Sequence, residues 1–305
     1  MKKCAIGIDI GGTNTKLGLV TDQGLVYFHD HFRTEDYPEF IHYQKELFER
    51  INKLIISYQS SFEVRNLSLV GIGIGAPNAN FHTGFLESPV NIPWGSVALK
   101  SILETRFKLP VVLDNDANAA ALGEAQFGVA KNVADFILVT LGTGVGTGIF
   151  SQNKILRSTP GKAGEGGHLT IVKDGRSCGC GGLGHLESYC SSKGVRLTAE
   201  EMMGQSLGAR EISDLFIQNN PMAIEVVDFT AKCLGFGLSQ MCALLNPTLI
   251  VLGGGVSLLS PDLAERTEQW LKHYTFRAIR DDAHIEISQL QTKQGSVLGA
   301  ATLVF

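Results

Sequence analysis

The sequence predicts an α/β protein made of two related halves, and three observations lead there. Short apolar runs rich in Val, Ile and Leu alternate with amphipathic helical stretches along the chain. Glycine is abundant, 35 of 305 residues, and clustered at 11–12, 71–75, 142–148, 161–167, 179–184 and 253–255. Glycine weakens helices and strands, so such clusters mark tight turns or close backbone approach to a ligand. A strand–glycine turn–strand unit also occurs twice: Ile10-Gly11 aligns with Leu141-Gly142, about 131 residues on, a weak internal repeat.

Taken in order, residues 4–10 (CAIGIDI) form a predicted strand, followed by the turn Gly11-Gly12-Thr13 and a second strand near 14–20. Asp22-Gln23-Gly24 turns into a third strand at 25–32, and an amphipathic helix covers 38–58. Ser68–Ile74 is a buried strand. Residues 75–95 are rich in Pro, Asn and Gly and read as a long loop, a length that is uncommon unless functional. A helix near 96–107 leads to a strand at 110–114, and Asp116–Phe127 is an Ala-rich helix. In the second half a strand at 134–141, a glycine turn at 142–144 and a strand at 145–150 repeat the opening. Helices follow at 193–203, 208–218 and 222–245, the last stopped by Asn246-Pro247. A strand at 248–252, Gly253-Gly254-Gly255, a helix near 261–273, a strand at 284–287 and a helix from 295 complete the chain. The boundary is expected near 118, giving a small domain of 1–118 plus 293–305 and a large domain of 119–292.

Charge excludes several function classes. Lys and Arg number 26 against 30 Asp and Glu, for a net charge of −4, and basic residues never form a run of five. Nothing here attracts nucleic acid or an anionic membrane. Asp9 interrupts the apolar opening, so no export segment is expected, and no run of about 18 apolar residues is present to span a bilayer. Six cysteines stand at 4, 178, 180, 190, 233 and 242. Without a secretory signal, the close pair Cys178/Cys180 reads as metal-binding rather than disulfide-forming, and a cytoplasmic location is expected.

Asp9-Ile10-Gly11-Gly12-Thr13-Asn14 places an acid at a strand end before a two-glycine turn. Glycine lets backbone N–H groups approach phosphate oxygens and form an anion nest, and Thr13 and Asn14 add hydrogen-bonding side chains. Asp9 suits Mg²⁺, which prefers carboxylate, phosphate and water oxygens. Gly142-Thr143-Gly144-Val145-Gly146-Thr147-Gly148 supplies a second such turn. No G-x-x-x-x-G-K-[ST] is present, which excludes a P-loop. Gly71-Ile72-Gly73-Ile74-Gly75-Ala76 matches a loose dinucleotide pattern, but Pro77-Asn78 follows where that motif requires a helix. Asp116 sits between a strand and a helix, where its plainest role is an N-cap. His168, Cys178, Cys180 and His185 offer two imidazoles and two thiolates in a Gly-rich stretch, a set that tetrahedral zinc accepts.

Together these motifs resemble the ROK family (repressors, open reading frames and kinases) of the actin-like sugar kinase superfamily, over essentially the whole chain. The turn at Gly11 is similar to that family's first phosphate motif and LGTGVGTG to its second. Leu252-Gly253-Gly254-Gly255-Val256 is similar to its adenosine motif, which implies nucleotide contacts at Gly254 and Gly255. GKAGEGGH at 161–168 and CGCGGLGHLE at 178–187 resemble its sugar and zinc signatures. The resemblance implies two actin-like (ribonuclease H-like) domains around a cleft that closes on its substrates, a homodimer, and ATP with Mg²⁺ as phosphoryl donor. It implies that Asp116 is the base at a sugar's terminal hydroxyl and that Asn115 binds a neighbouring hydroxyl. His168 would ligate zinc through one ring nitrogen and contact the sugar through the other, with Glu165 and Glu187 accepting from sugar hydroxyls. The loop 75–93, including Asn78, would shape the sugar end. The family's signature has a third cysteine where this chain has His185, and Cys190 is the alternative fourth ligand. Glucose 6-phosphorylation is the expected reaction; fructose, N-acetylmannosamine and N-acetylglucosamine are the other expected sugars. Family repressors place a helix-turn-helix segment first. Here the first phosphate strand begins by residue 4 and no basic recognition helix is visible, so a kinase is expected.

Overall fold

The apolar opening run folds as β1 (Lys3–Ile10) in a computed structural model that describes residues 2–89, 91–290 and 294–305. A tight turn leads into β2 (Asn14–Thr21), then β3 (Val26–Arg33), α1 (Phe40–Ser60), β4 (Ser68–Ala76), the short pair β5 (Ala79–Asn80) and β6 (Phe85–Leu86), α2 (Leu99–Phe107), β7 (Val111–Asn115) and α3 (Asp116–Phe127). The main strands pair in the order β3-β2-β1-β4-β7; β1, β4 and β7 run parallel, and β2 and β3 antiparallel. The stretch expected as one long loop from 75 therefore carries a hairpin, β5–β6, whose two-residue strands are too short to show a period. Val90 within it lies outside the described residues.

One face of this sheet is covered by α1, whose buried Tyr43, Leu47, Ile51 and Leu54 form a helical stripe against Ile6, Ile8, Ile72 and Ile74. The other face meets helices so closely that glycine is required. A Cβ at Gly73 would stand 1.9 Å from the Ala300 carbonyl oxygen, and one at Gly7 2.1 Å from that of Val297. The G-x-G-x-x-A pattern at 71–76 is thus a packing surface, consistent with its rejection as a dinucleotide motif.

The second sheet repeats the first. β8 (Phe136–Leu141), β9 (Val145–Ser151) and β10 (Lys154–Ile155) form the antiparallel side. The short helix α4 (Glu187–Cys190), α5 (Ser192–Met203), α6 (Ala209–Ile217) and α7 (Pro221–Leu245) precede β11 (Leu249–Gly253), α8 (Leu263–Tyr274) and β12 (His284–Ile287). Their order is β10-β9-β8-β11-β12, with β8, β11 and β12 parallel, so both sheets share one strand plan. Helix α7 is apolar almost all round and fills the second core. Asn220 caps it, accepting from Met222 N at 3.0 Å and Ala223 N at 3.1 Å, with Pro221 at its first position.

The last helix, α9 (Gly295–Thr302), returns to the first unit, which comprises Met1–Asn132, Arg157–Ala163 and Leu290–Phe305; the second comprises Val133–Leu156 and Gly164–Gln289. The chain changes unit after 132 rather than at 118 because α3 packs on β4 and α9. The boundary expected between 292 and 293 lies outside the described residues. Among the described residues no helix is long and apolar enough to cross a membrane.

Candidate active site

In the first unit three parallel strands deliver the predicted residues to one sheet edge. Asp9 of β1 pairs with Gly75 of β4, and Gly75 with Asp114 of β7. Beyond this line lie the turn Gly11–Asn14 after β1, Asn78 after β4, and Asn115-Asp116 at the end of β7. The carboxyl ends of parallel strands are where α/β folds bind ligands. The first turn closes through Gly11 N donating to Asn14 O at 2.9 Å, and a Cβ on Gly12 would meet Asn91 O at 2.9 Å. Thr13 and Asn14 are exposed. Burial pushes the Asp9 carboxyl above the usual carboxylate range, opposed in part by the Lys16 ammonium 3.9 Å away.

Asp116 is not the N-cap of α3. Asn115 is: its Oδ1 accepts from Ala117 N at 2.8 Å and Asn118 N at 3.4 Å. Capping needs extended backbone just before the helix, which Asn115 has, while Asp116 is already helical. Asp116 is exposed in the first turn, with Oδ1 accepting from Ala117 N at 2.9 Å. Asn78 is exposed at a φ of 53°, and its Nδ2 donates to the Glu87 and Ser88 carbonyls.

In the second unit the turn Gly142–Gly144 closes through Gly142 N donating to Gly144 O at 2.9 Å. Gly254 and Gly255 follow the neighbouring strand β11, and Gly254 has a φ of 85° with its Cα so close to the Leu141 carbonyl that a Cβ would lie 2.4 Å from it. Only glycine suits both demands. Thr143 and Gly255 are exposed. The same hairpin grips the predicted sugar segment. Thr147 Oγ1 donates to Gly164 O and accepts from Gly166 N at 2.8 Å, and Val145 N donates to Glu187 Oε2 at 3.0 Å.

His168, Cys178, Cys180 and His185 present ligand atoms that all lie within 4.8 Å of one another. Cys178 Sγ is 3.7 Å from His168 Nδ1, and Cys180 Sγ 3.2 Å from His185 Nδ1. Zinc with two sulfurs and two nitrogens needs ligand separations of about 3.5 Å, so the donor set fits in chemistry and spacing. His168 Nδ1 faces Cys178, and its Nε2 stands 3.8 Å from Glu165 Oε2. Glu187 Oε1 lies 3.5 Å from Cys178 Sγ. Cys190 is not part of this group. It is fully buried in α4, and its Sγ points to Thr230 O at 3.7 Å.

A sequence model of the ROK family matches residues 5–305. The chain belongs to the ROK family. It is 34% identical to a glucokinase of Halalkalibacterium halodurans, over 98% of this chain and 94% of that one. It is 29% identical to a xylose repressor of Caldicellulosiruptor bescii, over 98% of this chain and 77% of the repressor. A ROK family glucokinase from Streptomyces griseus, solved in complex with glucose and AMPPNP, superposes with a TM-score of 0.80 at 29% identity, covering 99% of each chain. The actin-like α/β fold expected of a ROK protein is the fold observed.

Several residues around the site were invisible to motif reading. Asp114, Arg157, Asn80 and Glu87 support the first unit's edge. Arg176 anchors the base of the Cys/His loop, donating to Ser188 O, Gly194 O and Thr198 Oγ1 and lying over the Tyr189 ring. An arginine inside a glycine-rich Cys/His loop is the one signal that points to such a role; the partners are set by the fold alone.

Proposed function

We propose that this ROK protein is an ATP-dependent hexose kinase that phosphorylates glucose at its 6-hydroxyl. The supporting observation is the line of Asp9, Gly75 and Asp114 across β1, β4 and β7, which gives a phosphate turn and Asp116 a common edge. That glucokinases are among its relatives supports glucose as the hexose.

The sugar O6 attacks the γ-phosphorus. A P–O6 bond forms as the bond to the β–γ bridging oxygen breaks, ADP leaves, and the hydroxyl proton passes to Asp116. Such transfers depend on alignment and charge neutralisation more than on early deprotonation. Asp116 therefore serves first to orient the hydroxyl and collects its proton late. Asn115 commits its Oδ1 to capping α3, so its amide nitrogen is the part offered to a sugar hydroxyl. With the Gly11 and Gly142 N–H groups closing their turns, those of Gly12 and Thr13 and of Thr143 and Gly144 bind phosphate oxygens, and Gly254 and Gly255 take the adenosine. Magnesium arriving with ATP would be held by Asp9 and would neutralise phosphate charge. Zinc held by His168, Cys178, Cys180 and His185 would fix the His168 ring, leaving Nε2 for the sugar beside Glu165 and Glu187. A reduced thiol set of this kind fits a cytoplasmic enzyme.

A coupled ADP-release assay across glucose, fructose, N-acetylmannosamine and N-acetylglucosamine tests this reading. Glucose should give the highest kcat/KM. Sugar binding without ADP release, or equal ADP release without sugar, would overturn it.

A further inference from the structure

The chain between β10 and Gly164 does not stay with its sequence neighbours: Arg157–Ala163 belongs to the first unit. Four polar side-chain contacts hold it there. Arg157 Nε donates to Asp114 Oδ2 at 2.7 Å, His82 Nε2 lies 2.9 Å from Ser158 O, Asn80 Nδ2 donates to Pro160 O at 3.0 Å, and Lys162 Nζ pairs with Glu87 at 2.7 Å. The Lys162 pair is largely exposed and contributes little.

The Arg157 pair differs in kind. Asp114 has no solvent exposure, and each of its oxygens is committed. Oδ1 accepts from Asn115 N at 2.8 Å and Asn118 Nδ2 at 3.0 Å, while Oδ2 accepts from Arg157. A buried carboxylate is tolerated when a cation and hydrogen bonds satisfy it, and it moves or takes a proton when the cation is lost. Arg157 is itself held by the Phe81 ring, whose centroid is 3.9 Å from the guanidinium carbon. The two residues bonded to Asp114 Oδ1 lie on either side of Asp116 in sequence. The carboxylate thus clamps the strand-to-helix turn that carries Asp116.

We infer that Arg157 is a positioning residue for phosphoryl transfer: by fixing Asp114 it sets the turn Asn115–Asn118 and so the aim of Asp116. The inference rests on Asp116 being the group that orients the sugar hydroxyl. Lysine cannot replace it, because a point charge on a flexible stem lacks the directed Nε bond and the flat face over Phe81.

The test compares Arg157→Lys and the pair Asp114→Asn with Arg157→Ala, which leaves no buried charge unpartnered, against wild type and Asp116→Ala. The measurements are kcat, KM for ATP and thermal midpoint. A misplacement of about 1 Å costs about 10²-fold, so both Arg157 variants should lose about 10- to 100-fold in kcat, with KM for ATP little changed. The midpoint of the paired variant should stay near wild type. A purely structural role would lower the midpoint and leave kcat of the folded enzyme unmoved. That result, beside an inactive Asp116→Ala, overturns the role of Arg157 alone, as would failure of both variants to fold. Should Asp116→Ala keep more than about a tenth of wild-type kcat, the assignment of Asp116 fails and this inference falls with it.

Discussion

Gly144→Ala should cripple sugar use although it lies in a turn proposed to hold phosphate. A Cβ at 144 would stand 2.4 Å from Glu187 Oε2, and carbon–oxygen contacts are no closer than about 3.3 Å. The carboxylate must therefore retreat by about 1 Å. Its bond from Val145 N, now 3.0 Å, would open beyond useful range. Losing a charge-assisted hydrogen bond costs about 1.5–3 kcal/mol, and a catalytic or substrate-positioning group displaced by about 1 Å costs about 10²-fold. We expect kcat/KM for glucose to fall by about 10²-fold and the thermal midpoint to drop by a few degrees. Gly142→Ala is the matched control, because a Cβ there meets nothing within 4 Å. Its effect should fall on KM for ATP, since the open space beside it is where phosphate would enter. The assay is coupled ADP release with each substrate varied in turn. If Gly144→Ala changed kcat/KM for glucose by less than about threefold, or about 0.7 kcal/mol, Glu187 would not be held as described.

Asp116→Ala should fold normally yet retain less than about a tenth of wild-type kcat, because the cap belongs to Asn115; Asn115→Ala should instead lose about 1 kcal/mol of stability by thermal denaturation. Metal analysis should find one zinc per chain, lost in Cys178→Ser, with KM for glucose rising more than KM for ATP; a metal-free wild type of full activity and stability would end the zinc assignment. At pH 8 a thiol reagent should miss four cysteines of the native protein. Burial pushes the Cys4 and Cys242 thiols up to about 11 and Cys233 up to about 12, and Cys190 well above its ordinary value, so at pH 8 they stay protonated and unreactive, whereas exposed Cys180 should react once metal is chelated.

The long elements were legible because each carries its own period. The strand read over 4–10 runs Lys3–Ile10, the helix read over 38–58 runs Phe40–Ser60, and the helix ended by Asn246-Pro247 stops at Leu245. β5, β6, β10 and α4 were not legible, since two to four residues cannot show a period. The glycine clusters read as tight turns or close approaches to a ligand, yet several of their glycines answer to packing: Gly73 to α9, Gly12 to Asn91, and Gly144 to Glu187. One residue type serves both needs, so composition could not separate them. The Arg157–Asp114 pair spans 43 positions and the Asn80–Pro160 bond 80, and no local pattern encodes either. Thr147 sat inside a recognised motif, but its bonds to Gly164 and Gly166 tie it to the sugar segment.

The two sheets share one strand plan but carry different loads, and the difference has a physical logic. In the first, β3 returns to β4 through a single crossover helix, α1, and β7 ends directly in Asn115-Asp116. In the second, the return from β10 to β11 is long and holds Glu165, His168, the Cys/His cluster and Glu187, while the matching edge strand β12 ends at Ile287 and is followed by Ser288-Gln289 rather than by an acid. The acid thus stands on a short connection locked by a buried ion pair, where a small displacement would be costly. The groups proposed to recognise the sugar stand in this long connection, on loops and short helical turns, which tolerate change because the strands beneath them do not depend on it. Substitutions between 164 and 187 that spare the four residues of the Cys/His cluster should therefore shift sugar preference while leaving the stability of the first unit intact. Substitutions around Asp114 should slow every sugar alike.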